Sequence, residues 1–444
     1  MFLKNLTLLP MMKIKLLFLL FLLPFAGGAQ VLSLNQALDT AWKRSLGLAM
    51  ARNEAHIAAL QNTAGNAGML PVITLNGGLS FSNNNIEQRF SNGTEISRNG
   101  VGASNSNASV AGSWVLFDGM RMFAERDRLH ALQALGEQGV LREALRVALN
   151  TRLAYYALAR EQRLYNYYDM LQAMAGDVAR LAALRNETGM GSALNQLQAE
   201  SAFELWKGRL REQEGRIREA REQLAFTMTV NSIQVQQVYD ADTAALLPGL
   251  DYWMEGLRQH PDLQAAALSE RVALASELAV KAQRMPQLRA NGSYAYSANN
   301  NKGGFFLLNQ SNGINAGLTL GWNLYNGGQV KQQMEIASIN RQQAALQKQE
   351  ILRSLESEIT RAYIRCKTAQ AFYRQAALAL EKATRAAALM QQRYQAGTSV
   401  LLELNEARRS EEDLRLAAED ALFRLRVAES ELMALSGNLS GFRP

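Results

Sequence analysis

The feature that most limits what this chain can become is an internal duplication in which each copy carries one very long helical segment. Between Gly328 and Gly397 lie about 68 residues without glycine or proline. At ~1.5 Å rise per residue they predict a helix of roughly 100 Å. Shared punctuation locates its counterpart in the first half. Trp114-Val115-Leu116-Phe117-Asp118-Gly119 corresponds to Trp322-Asn323-Leu324-Tyr325-Asn326-Gly327, and the same offset of about 208 residues relates Gly189 to Gly397 and Ala199 to Ala407. A repeat of this kind sets the architecture before any single motif is read. The expected repeats are residues 30–231 and 232–444.

Residues 1–29 are set apart as a secretory signal. Lys13 and Lys15 precede an apolar run from Leu16 to Ala26, and Gly27-Gly28-Ala29 supplies small residues for cleavage before Gln30. A spanning anchor needs ~20 apolar residues, and only about eleven are present. The single cysteine, Cys366, rules out an intrachain disulfide framework. The formal charge of +7 falls to about +4 without the leader's Lys4, Lys13 and Lys15, and it is spread without basic blocks, so no nucleic-acid footprint is expected. Seven prolines and long Ala-, Leu-, Glu-, Gln- and Arg-rich stretches predict a mainly helical mature chain.

Both repeats have the same order of parts. A short helix near Leu34 to Arg44 leads to a second, about Leu46 to Met69, stopped by Pro71. Met254 to Gln259, then Asp262 to Met285, stopped by Pro286, play these roles in the second half. The hydrophobic period then changes from 3.6 to 2. Ile73, Leu75, Gly77, Leu79 and Phe81 alternate with polar or small residues, as do Val110, Gly112, Trp114 and Leu116; Leu288, Tyr294 and Tyr296; and Ile314, Leu318, Leu320 and Trp322. Four strands of about ten residues are predicted near 72–82, 106–117, 287–297 and 314–325, with the length and alternation of bilayer-spanning strands. An amphipathic hairpin on a soluble sheet would read the same way. Long helical hairpins follow at 119–230 and 328–437, with apolar steps of three and four broken only by Glu411 in the second returning helix.

The returning helix and the helix before the strands together nearly match the long helix, so every helix should point to one pole where the strands gather. An open sheet cannot sit in hydrocarbon because its edges leave backbone groups unpaired. Bacterial barrels need about eight strands or more, and four are available, so copies must pool them. Two copies would give eight and three would give twelve.

On these residues the chain resembles the TolC-like outer membrane efflux proteins. The resemblance is carried by the duplicated Trp blocks, by the helix start His260-Pro261-Asp262-Leu263, and by the turns Gly189-Met190-Gly191-Ser192 and Gly397-Thr398-Ser399-Val400 with their continuations to Ala199 and Ala407. It implies a mainly α fold with a small β part, in which duplicated antiparallel helical hairpins form a periplasmic α-barrel and four strands per chain join an oligomeric β-barrel. It also implies a homotrimer in the outer membrane, contacting its lipid and extending into the periplasm, as the exit duct of a tripartite efflux or export system. The partners implied are a periplasmic adaptor (membrane fusion) protein and an inner-membrane pump of RND, ABC or MFS type.

Glu403 and Glu406, three apart on one helix face, match acidic residues of the family's periplasmic entrance, where a ring of carboxylates would favour cations. The alternative is that both stabilise the positive end of the returning helix. Asn195 stands where the family usually has aspartate, and Ser399 where its best-known member has a locking arginine, whereas Tyr394 matches that arginine's tyrosine partner. These departures argue against closure by that network and for tighter helix packing in its place. Gly189, Gly191, Ser192, Gly397 and Thr398 are candidate adaptor contacts, although they also suit any helical turn.

His56, His130 and His260 are scattered without ligand spacing, and no phosphate loop, nucleophile elbow or metal motif occurs, so neither catalysis nor a cofactor is expected. The 16 methionines do not cluster after Met12 and read as packing residues. The competing reading is a periplasmic coiled-coil scaffold or adaptor that never enters lipid.

Overall fold

The computed structural model describes residues 32–230, 238, 247–303 and 307–437; the proposed signal segment lies outside them. Helix α1 (Leu34–Arg44) and α2 (Leu46–Gln61) precede strands β1 (Val72–Arg89) and β2 (Glu95–Phe117), then α3 (Arg121–Glu187) and α4 (Ala193–Met228). The second half repeats the order with α5 (Leu250–Gly256), α6 (Pro261–Lys281), β3 (Gln287–Asn301), β4 (Leu308–Gly321), α7 (Gln329–Gln395) and α8 (Leu401–Leu435). The two long helices, α3 and α7, have 67 residues each. Their returning partners have 36 and 35.

The chain forms two compact units, and each draws on both repeats. One comprises residues up to 43, 150–245 and 370–427; the other comprises 44–149, 246–369 and 428–444. In the first unit, α3 and α4 close on a cluster of Leu164, Tyr167, Tyr168, Leu171 and Leu210, with Trp206 and Leu416 of α8 against it. Small residues let helices approach in a second cluster, where Ala376 of α7 meets Ala418 and Ala421 of α8. Polar links between helices add direction: Arg163 Nε donates to Glu419 Oε2 at 2.7 Å, and Gln213 Nε2 donates to Glu161 Oε2 at 2.6 Å. Glu411, the residue that interrupts the apolar seam, is buried and takes Arg408 Nη1 at 2.8 Å from the preceding turn. A buried carboxylate is tolerated there because its cation comes from its own helix.

The second unit holds all four strands in one antiparallel sheet of order β1-β2-β3-β4. Buried Glu277 accepts from Lys281 Nζ and Arg341 Nε, each at 2.7 Å, tying α6 to α7. The hydrogen bond from Lys281, opposed by burial, holds the Glu277 carboxyl below its ordinary range.

Several element ends differ from the sequence reading, and three of the differences bear on the sheet. Helix α2 stops at Gln61 instead of running to Met69: Asn62 leaves helical geometry at φ −79° and ψ 68°, and the turn that follows closes on Gly68 at positive φ. Strands β1 and β2 run on into the Asn- and Ser-rich stretch expected to be a loop, with pairing continued to Arg89↔Glu95. Strand β4 ends at Gly321, so Trp322 to Tyr325 lie outside it. Its last partner is Gln287, and the next residue on that strand is Pro286, which has no N–H to offer.

Candidate functional site

Register turns the alternation of single strands into two continuous faces. Leu75 pairs with Val110, Val110 with Tyr294 and Tyr294 with Ile314, so one apolar row crosses all four strands. Next to it run Ile73-Gly112-Gly292-Ala316 and, at one end, Trp114-Ala290-Leu318. This face is uncovered: Leu75 is 78% exposed, Phe81 82% and Ile314 80%. Along β3 from Leu288 to Tyr296 the apolar face extends about 26 Å, and a strand tilt of about 40° reduces this to ~20 Å, near the ~25 Å band of membrane barrels.

The opposite face carries small and polar residues, including Thr74-Ala111-Ser293-Asn315 and Ser80-Asn105-Asn299-Asn309. On it Ser113 Oγ donates to Asn291 Oδ1 at 3.0 Å, and Asn291 Nδ2 donates to Thr319 Oγ1 at 3.1 Å. Within the described residues β1 is paired only by β2, and β4 only by β3, so both outer strands present free edges.

The duplicated Trp block now has a physical account. Trp114 Nε1 donates to the Met69 carbonyl at 2.9 Å, and Trp322 Nε1 to the Arg284 carbonyl at 3.0 Å. Both acceptors sit two residues before a proline, just ahead of a strand: Arg284 ends a 3-10 turn, and Met69 follows the turn after α2. Asp118 Oδ1 then accepts from Met122 N at 3.2 Å, and Asn326 Oδ1 from Val330 N at 3.4 Å, capping the start of each long helix. Gly119 and Gly327 adopt φ 71° and 69°. A Cβ on Gly119 would also lie 2.6 Å from the Ala282 carbonyl oxygen.

The two hairpin turns lie in the first unit and are alike in backbone. Gly189 and Gly397 have φ 72° and 77°. Gly397 N donates to the Tyr394 carbonyl at 3.0 Å, and Thr398 N and Oγ1 both donate to that of Arg393. Ser192 caps α4 by accepting from Asn195 N at 3.3 Å. Glu403 Oε2 accepts from Val400 N at 3.4 Å, the capping role, whereas Glu406 is exposed; neither forms an ion pair among the described residues.

Tyr394 is buried with Val178, Ala182, Ala199, Leu401 and Leu404, so it joins helices of both hairpins. Among the described residues no hydrogen bond links its hydroxyl to Asn195 or Ser399, and the Ser399 hydroxyl is buried without a partner. Its ring instead lies under Arg185, whose guanidinium carbon is 4.9 Å from the ring centroid. Arg185 Nη2 also donates to the Tyr394 and Gln395 carbonyls at 2.9 and 3.2 Å. The Tyr394 carbonyl thus accepts from both Gly397 N and Arg185, and one side chain from α3 braces the terminus of α7. Sequence reading missed Arg185; its signal was a basic residue in the last helical turn before Gly189.

Residues 254–438 match the family model for the outer membrane efflux protein. The match spans less than half of the chain. No curated protein matches the chain. Among solved structures it is similar to the outer-membrane channel OprN, with 19% identity and a TM-score of 0.74 over 93% of this chain and 91% of that one. It is also similar to VceC from Vibrio cholerae, with 19% identity and a TM-score of 0.73 over 91% and 96% of the two chains. The CmeC channel of Campylobacter jejuni gives 18% identity and a TM-score of 0.73 over 91% and 85%. At these identities the likeness is one of fold, and it covers both halves of the chain. The matched domain contains Tyr394, Gly397, Thr398, Ser399, Glu403 and Glu406. Gly189, Gly191, Ser192 and Asn195 lie in the first repeat.

Proposed function

We propose that this chain is the outer-membrane exit duct of a tripartite efflux or export system, working as a homotrimer whose pooled strands close a twelve-stranded barrel. The observation that carries the reading is an open four-stranded sheet with an exposed apolar face and two free edges. In water such a sheet is an aggregation hazard. In lipid its face is matched, and its edges are satisfied once neighbouring copies pair with them. No helix among the described residues is long and apolar enough to cross a membrane.

The hairpin turns are assigned to the periplasmic end, where Gly189, Gly191, Ser192, Gly397 and Thr398 would contact an adaptor that in turn engages an inner-membrane pump. Glu403 and Glu406 would line the entrance, with Tyr394, Asn195 and Ser399 around it. Cell fractionation followed by conductance in a planar bilayer tests the duct. Recovery in the outer membrane with discrete single-channel currents is expected. Recovery in the soluble periplasm without current would favour the coiled-coil scaffold instead. In the conducting pore, Glu403→Ala with Glu406→Ala should lower cation preference; unchanged ion selectivity would remove both from the entrance.

A further inference from the structure

The four-stranded part of the sheet is almost free of charge. Val72 to Asn83, Ala103 to Phe117, Gln287 to Asn300 and Leu308 to Gly321 contain no Asp, Glu or Lys and a single arginine, Arg289. Register places Arg289 across from Val115 on one side and Thr319 on the other. It therefore shares the polar face with Ser113, Asn291 and Ser293, away from Leu288, Ala290 and Tyr294. It is exposed, and no ion pair reaches it among the described residues. Apart from Val115, its neighbours on that face are amides, hydroxyls and glycines, which can solvate ions of either sign but cannot neutralise a guanidinium.

We infer that Arg289 is the fixed charge that sets ion preference in the barrel section of the duct. The inference rests on the duct reading, since only a closed barrel makes the polar face a lumen. One arginine per copy would then form a ring of positive charge at one level, in a section with no carboxylate to offset it. Rings of arginine or lysine favour anions, and a low-dielectric wall around them focuses their field. A solute carrying phosphate, sulfonate or carboxylate groups would gain from passing this level, and a polycation would not.

The test is the reversal potential of the reconstituted full chain across a KCl gradient, near 0.1 M salt, where the screening length is ~10 Å. Arg289→Gln should reduce the chloride-to-potassium permeability ratio by about twofold or more, Arg289→Glu should reduce it further, and Arg289→Lys should retain it. The series is repeated with Glu403→Gln and Glu406→Gln present, so that carboxylates elsewhere cannot mask the effect. A conducting wild type whose reversal potential is unmoved in the glutamine and glutamate variants overturns this inference alone, and would leave Arg289 as a rim cation for lipid phosphate. A wild type that reconstitutes without passing current overturns the duct reading and this inference with it.

Discussion

His260 is a buried side chain, 5% exposed, that begins a helix: its Nδ1 accepts from Asp262 N at 3.2 Å, and Pro261 fills the first helical position. An asparagine would cap in the same manner. Imidazole adds a titration that asparagine lacks. Burial holds the His260 pKa below its ordinary value, against the opposing pull of Asp262. A depressed folded pKa means the stabilisation is present above about pH 6.5 and is lost as pH falls from there through the folded value. Thermal midpoints in detergent should therefore drop between pH 7 and 5, and His260→Asn should flatten that slope; equal slopes would reject the cap assignment. Arg185 makes a different claim at the same scale. Arg185→Ala removes charge-assisted bonds to the end of α7, so amide exchange around residues 395–404 should speed by roughly tenfold. Arg185→Lys should recover little of this, because an ammonium lacks the planar guanidinium that stacks on Tyr394 while its Nη2 bonds both carbonyls.

The start of each long helix shows what a duplication preserves and what it lets drift. At Gly327-Gly328 both residues take positive φ without a Cβ. The first repeat has Gly119-Met120 at the matching place, and Met120 holds φ 72°. A left-handed conformation costs a non-glycine residue about 1–2 kcal/mol. Met120 is 61% exposed and so gains little from burial in return. Met120→Gly should stabilise the chain by about 1 kcal/mol, read as a rise in thermal midpoint; a fall would mean that unfolded-state entropy outweighs the relief. This scale also marks how far sequence could be read. The long helices were legible because glycine punctuates their ends: α7 runs over Gln329–Gln395, as expected. The strands were legible by period, but their ends were not, since an end depends on what lies across the ladder. The Asn-rich stretch pairs because a partner is present, and Trp322 leaves the strand because Pro286 is not one. Arg185 was opaque because its acceptors are about 210 residues away.

For the molecule as a whole, the decisive quantity is the number of unpaired backbone groups along β1 and β4. If copies close the barrel, β1 of one chain must lie beside β4 of the next. Single cysteines placed at alternate positions of Val72–Asn83 and of Leu308–Gly321 should then give, in pairs, covalent species up to a trimer. The native thiol will not interfere: Cys366 is buried, and desolvation pushes its pKa to about 11, so little thiolate forms. Cross-linking that yields only monomer with every pair would refute the shared barrel. Sequence predicted this incompleteness correctly, since strand count is legible along a chain, while the number of copies came from family resemblance.

The two open margins also carry a consequence for supply. A lone chain has no finished form to wait in, so the yield of working ducts should climb faster than linearly with the amount synthesised. Below some threshold, most newly exported chains would meet a protease before they met their sisters, and a modest drop in expression would act on the cell like a deletion.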